Sequence, residues 1–207
     1  MQMPASPVPV EFPPGTGGGC VKTGPFKNLT LHLGPVVLPQ YGSSNVDFNV
    51  HPELDNPRCL KRDLNSGIAK KWTTFRNTTD LILGSANIFE FGTEMNGDPR
   101  GSTNLMGVHG GGHFTIGGDP GGDAFVSSND PAFWLHHAQI DRVYWIWQML
   151  DFDNRKGVFG TNTFLDQPPS ANTTVEDLLV VAPLASSVKI KDVVNTVGGS
   201  PLCYVYI

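Results

Sequence analysis

VHGGGHFTIGG, residues 108–118, sets two histidines four positions apart, a helical spacing, and fills the gap with three glycines. Each glycine that replaces alanine inside a helix costs about 1 kcal/mol, so a helix here needs a compensating interaction. On such a helix the rings of His109 and His113 project from one face, one turn apart, and can grip a single metal ion. The stretch Thr103 to Thr115 is expected to be helical on that condition.

A second helix follows a Gly/Asp/Ser loop, residues 116–130. Asp130-Pro131 is a good start signal: an acidic residue whose carboxylate takes free amides, then a proline whose missing N–H costs nothing in the first turn. The helix is expected from Pro131 to about Leu150. Phe133, His137, Ile140, Asp141, Tyr144 and Trp147 recur along it at three- and four-residue steps, which places His137 on the apolar face. The loop from Gly117 to Asp130 is long enough to bring this helix back antiparallel to the first. Either His137 or its neighbour His136 can then complete a three-histidine set with His109 and His113. Three neutral imidazoles suit Zn, Cu, Fe or Ni and leave a coordination position open. Asp141, four residues after His137, is placed to approach that ring or a facing histidine and fix its tautomer.

Four of the six histidines fall between His109 and His137. An unpartnered imidazole on a buried apolar face is penalised by desolvation, which favours shared ligation. His32 and His51 read as hydrogen-bonded residues outside the site. Phe133, Trp134, Tyr144, Trp145 and Trp147 read as core packing, whereas Phe114, next to a candidate ligand, suits stacking on a substrate.

The whole 207-residue chain fits one loop-rich domain: 24 Gly and 17 Pro, with only 16% charged residues. A net charge of -5 with 14 thinly scattered Lys and Arg gives no basic stripe for nucleic acid and no polybasic membrane patch. Residues 1–18 read as a flexible lead-in without a signal peptide or a membrane span. Short strands are expected within Leu29–Leu33, Val36–Leu38 and Leu178–Ala182, with the terminal Leu202–Ile207 a strand or extended arm. Two short helices are expected within Gly67–Phe75 and Thr79–Phe89. Asn28, Asn77 and Asn172 head glycosylation sequons, and the odd count of Cys20, Cys59 and Cys203 leaves one thiol without an internal partner.

HGGGHFTIGGDPGGD followed by NDPAFWLHHAQIDRVYWIWQ resembles the copper B half of the tyrosinase and catechol oxidase family, most like its secreted fungal members. GPFKNLT and CLKRDLN resemble the segment that leads into copper B, so the likeness runs from about Gly19 onward. It implies a mainly α fold: a partial antiparallel helix bundle with two ligand-bearing helices, extensive loops and a few short strands, spanning 19–207. It further implies copper as cofactor, with His109, His113 and His137 as ligands and His136 beside them. Gly110, Phe114 and either Ala124 or Phe125 then border the pocket for a phenolic substrate, which is oxidised with dioxygen. Family members hold a second copper through an N-terminal trio of histidines, and His32 and His51 do not form one. The expectation is therefore a fragment of a secreted diphenol oxidase whose missing copper site a second chain would supply, or a non-catalytic domain that holds one metal ion.

Overall fold

Asn65 closes the N-terminal extended run by capping the first helix. Its Oδ1 accepts from the Ile68 amide at 3.0 Å, and α1 spans Ser66–Trp72. The computed structural model describes residues 13–36, 51–97, 106–163 and 166–207. Thr74 caps α2, Phe75–Gly84, and Asn87 caps α3, Ile88–Asn96. The two helices that carry the candidate ligands follow as α4, Gly107–Ile116, and α5, Ala132–Met149. Among the described residues the strands are short: β1 (Thr30–Leu31) pairs antiparallel with β2 (Arg58–Cys59), and β3 (Leu178–Leu179) with β4 (Val188–Lys189), which runs into a single turn, α6 (Ile190–Val193). The mainly helical core with a few short strands is the expected class.

Leu81 of α2, Phe91 of α3, Val108 of α4, and Val143 and Trp147 of α5 form the buried core. Phe91 stacks on Trp147 with centroids 4.5 Å apart, and the Trp147 indole N–H donates to the Ser85 carbonyl at 2.8 Å. A large aromatic is thus buried with its one polar atom satisfied. No helix among the described residues is long and apolar enough to cross a membrane.

The loop between α4 and α5 is held by charge and by backbone amides. Asp119 takes a two-pronged hydrogen bond from Arg58, at 2.7 and 2.9 Å, and Asp130 takes one from Arg62, at 3.0 and 2.7 Å. Asp130 also accepts from the Ala132 amide at 2.8 Å, the helix-starting role expected of it. Asp123, buried, accepts from the amides of Phe125 and Val36. Cys20 and Cys59 form a disulfide behind this loop, and Cys203 is the free, exposed thiol.

Several expected elements differ in extent. Thr79–Phe89 is not one helix: it straddles the end of α2 and the start of α3, because the Asn87 side chain accepts from the Glu90 amide while Glu90 returns to the Ala86 amide. That reciprocal cap is legible as Asn followed three residues later by Glu. Residues 13–18 of the lead-in are fastened by side chains: Asn65 donates to the Pro13 carbonyl, and Thr16 and Asp63 accept from the amides of Leu64 and Gly17. The terminal residues 202–207 form no strand. Residues 37–38, and 103–105 of the expected α4, lie outside the described residues.

Candidate metal centre

α4 can carry three consecutive glycines because two of them are where other groups pass. A Cβ on Gly112 would lie 2.1 Å from Cε1 of His136, and one on Gly111 would lie 2.5 Å from Cβ of Trp72. Small bulk at these positions lets α5 and α1 pack directly on the backbone of α4. Gly110 differs, since the nearest atoms to its Cβ would be at 3.7 and 3.8 Å. Gly112→Ala is therefore expected to destabilise the chain by about 1–3 kcal/mol through overpacking. Gly110→Ala is expected to be neutral or to stabilise by up to about 1 kcal/mol through helix propensity. Urea denaturation of the two variants checks both.

Phe133 approaches His113, with centroids 5.9 Å apart, and His136 reaches the His109 carbonyl, so α4 and α5 run in opposite directions. This brings together His109, His113 and His137, each half-buried, with one ligand atom from each ring lying within 4.8 Å of the others. His113 Nε2 is 3.1 Å from His109 Nε2 and 3.2 Å from His137 Nε2. The His137 ring is held by stacking on Phe133, centroids 3.9 Å apart.

Partners of the opposite ring edges fix the protons. The Gly121 carbonyl can only accept, so His113 Nδ1, 3.3 Å away, carries a hydrogen and its Nε2 does not. At His109, Nδ1 lies 2.8 Å from Asn96 Oδ1, and the Asn96 amide nitrogen donates to the Gly92 carbonyl at 2.8 Å. That second bond orients the amide, so Asn96 Oδ1 accepts and His109 Nδ1 donates. His109 and His113 therefore face each other through two bare Nε2 lone pairs 3.1 Å apart, which repel unless a cation lies between them. Two nitrogens each about 2.0 Å from one ion at tetrahedral angles are about 3.3 Å apart, so the spacing fits a shared metal. His136 is in the opposite tautomer: its Nε2 donates to the His109 carbonyl at 2.9 Å. It thus ties α5 to α4, and of the two neighbouring histidines His137 is the one that joins the ligand group.

Burial is the largest influence on all four rings and lowers their pKa values. Neighbouring imidazoles add to it, pushing His109 down to about 3 and His113 to about 4. Neutral rings are the form that binds metals. In the unfolded chain the same rings protonate near about pH 6.5. The folded values lie below that, so the metal-free chain is expected to lose stability progressively as pH falls from about 6.5 towards about 4, the unfolded state taking up the protons first. A lower urea midpoint at about pH 5 than at about pH 7 is the expected reading.

The other candidates fall as follows. Asp141 does not serve a histidine: its carboxylate accepts the hydroxyls of Tyr204, at 2.8 Å, and of Tyr206. The four-residue spacing from His137 put it on the right helix, but the C-terminal arm crosses α5 there and takes the carboxylate. Phe114 and Gly110 are half-buried on α4, and Ala124 and Phe125 are exposed on the loop between α4 and α5. Trp134 and Leu135, 64% and 77% exposed, lie outside the core that their helix otherwise fills, contrary to the core reading of Trp134. His32 and His51 lie on the surface beside Asp55 and Glu53, as expected. Asn96 was not singled out by the sequence. No periodicity links it to His109, and the only pointer is that ligating histidines donate their other N–H to an acceptor somewhere nearby.

The common central domain of tyrosinase matches residues 2–150. Tyrosinase P of Aspergillus terreus is 34% identical over 200 residues, which is 95% of this chain and 54% of that protein. Oxidase hkm6 of Aspergillus hancockii is 30% identical over 207 residues, covering 97% of this chain and 69% of that protein. The solved structure of a mutant polyphenol oxidase from Thermothelomyces thermophila is similar at a TM-score of 0.84 and 37% identity, covering 96% of this chain and 54% of that one. The chain thus spans about half the length of Tyrosinase P and of the solved polyphenol oxidase.

Proposed function

Because the chain belongs to the tyrosinase family, we propose that His109, His113 and His137 hold one copper ion and that this centre serves the oxidation of diphenols to quinones with dioxygen. The observation that carries the reading is the pair of bare Nε2 lone pairs facing each other at 3.1 Å, with a third Nε2 at 3.2 Å. The all-imidazole donor set fits copper. Copper, when bound, supplies the redox couple through which dioxygen takes electrons from the diphenol. The protein's own part is to keep three rings neutral and aimed at one point, and to leave one side open. The residues proposed to border the substrate pocket, by the family resemblance, are Gly110, Phe114, Ala124 and Phe125. Each diphenol gives up two electrons and two protons, so two diphenols reduce one dioxygen to two waters.

Among the described residues one three-histidine group is present. This favours a second reading, a single metal ion bound without turnover. A second copper, where catalysis requires a coupled pair, would be held by histidines outside this group, a second chain being one proposed source. Secretion belongs to the same proposal: the Cys20–Cys59 disulfide suits an oxidising compartment, and Asn28 and Asn172 are exposed.

Oxygen uptake by the purified, copper-loaded chain with catechol tests the reading. A rate above that of the same concentration of free copper supports the oxidase. Stoichiometric copper without turnover supports the second reading, and absence of copper binding contradicts both.

A further inference from the structure

The ligand tautomer of His109 is set from outside the two ligand-bearing helices. Gly107 opens α4 with φ +61, and a Cβ there would lie 2.2 Å from the Met95 carbonyl oxygen and 2.4 Å from that of Glu94. The first residue of α4 therefore rests directly on the backbone of the last turn of α3. Gly97, buried and with φ 74, ends α3 at Asn96, so the helix stops with that side chain opposite His109. Within the same turn the Asn96 amide nitrogen is taken by the Gly92 carbonyl at 2.8 Å, which leaves Oδ1 aimed at His109 Nδ1, also at 2.8 Å.

We propose that Asn96 is the positioning residue of the metal centre, holding the hydrogen of His109 on Nδ1 and so keeping Nε2 free to bind the ion. The proposal rests on His109 being a ligand, as set out under the proposed function. The alternative tautomer has a ready partner inside the site. A hydrogen on His109 Nε2 would point at the bare His113 Nε2 3.1 Å away and close the pair into an ordinary imidazole–imidazole hydrogen bond. Without Asn96 the metal-free site can satisfy itself in this way, and metal has to break that bond before it enters. Asn96 thus keeps the two ligands mutually unsatisfied.

Nitrogen-15 NMR of the histidine rings in the metal-free chain reads the tautomer directly, and calorimetry with Cu(II) reads its consequence. The expected wild-type spectrum shows His109 protonated on Nδ1. Asn96→Leu is expected to move the hydrogen to Nε2 and weaken copper binding about 10–100-fold, the usual effect of losing the outer partner of a ligating histidine. Asn96→Asp, whose carboxylate still accepts, is expected to keep the wild-type tautomer and retain affinity, which a merely structural role for Asn96 would not require. A wild-type His109 protonated on Nε2, or an Asn96→Leu chain with an unchanged tautomer, overturns the proposal. If the tautomers behave as expected but copper does not bind the wild-type chain, the role of Asn96 in setting the tautomer is upheld and the metal reading alone falls.

Discussion

His113→Ala is expected to abolish tight copper binding while leaving the fold intact. His113 is the middle of the ligand group, its Nε2 lying 3.1 Å from that of His109 and 3.2 Å from that of His137. Loss of an outer hydrogen-bond partner costs about 10–100-fold in metal affinity, and losing a ligand costs more, so a fall beyond about 100-fold is expected. Stability of the metal-free chain is expected to change little, since the lost Nδ1 bond to the Gly121 carbonyl is offset by relief of the repulsion at Nε2. The substitution removes a half-buried ring whose bare nitrogen faces another bare nitrogen, and with it a repulsion that metal otherwise relieves. Calorimetry gives the affinity and urea denaturation the stability. A variant that binds copper as tightly as the parent would remove His113 from the ligand set.

Arg62→Ala is expected to destabilise the chain by about 3–5 kcal/mol, the typical result of stripping a buried charge of its partner. The Asp130 side chain is 1% exposed and receives both prongs of the Arg62 guanidinium, with the Ala132 amide as a further donor. That hydrogen bonding to Asp130 outweighs the burial of Arg62 and raises the guanidinium pKa. Removing the arginine leaves a buried carboxylate with the Ala132 amide as its remaining donor. Because Asp130 starts α5, the damage reaches His136 and His137 within two turns, and copper affinity is expected to fall with stability. The double variant Arg62→Met, Asp130→Asn removes both charges and is expected to recover most of the loss. Urea denaturation of the single and double variants measures it. Equal destabilisation of the two would show that packing, and not the orphaned charge, carries the effect.

Short-range rules make the two histidine-bearing helices legible in the sequence. Asp130-Pro131 marks the start of α5, the four-residue spacing marks the candidate ligands of α4, and a long glycine-rich loop allows the antiparallel return. The same rules failed where distant chain decides. Asp141 satisfied every local criterion for a histidine partner, yet residues 202–207 come back across α5 and two tyrosines claim its carboxylate. Trp134 fits an apolar helix by composition but sits on the side of α5 that no described element covers. The break between α2 and α3 was readable, since the reciprocal cap of Asn87 and Glu90 lies in plain sequence. Asn96 was not, because its meeting with His109 depends on α4 beginning against the backbone of α3, a contact that no pattern within either segment records. The glycines of α4 were explicable only in part from sequence: close packing accounts for Gly111 and Gly112, and Gly110 has room to spare.

Anomalous diffraction at the copper edge from crystals grown with copper addresses the central claim most directly. One peak is predicted, within about 2 Å of the Nε2 atoms of His109, His113 and His137. A peak held through other atoms, or no ordered copper among these three rings, would contradict it.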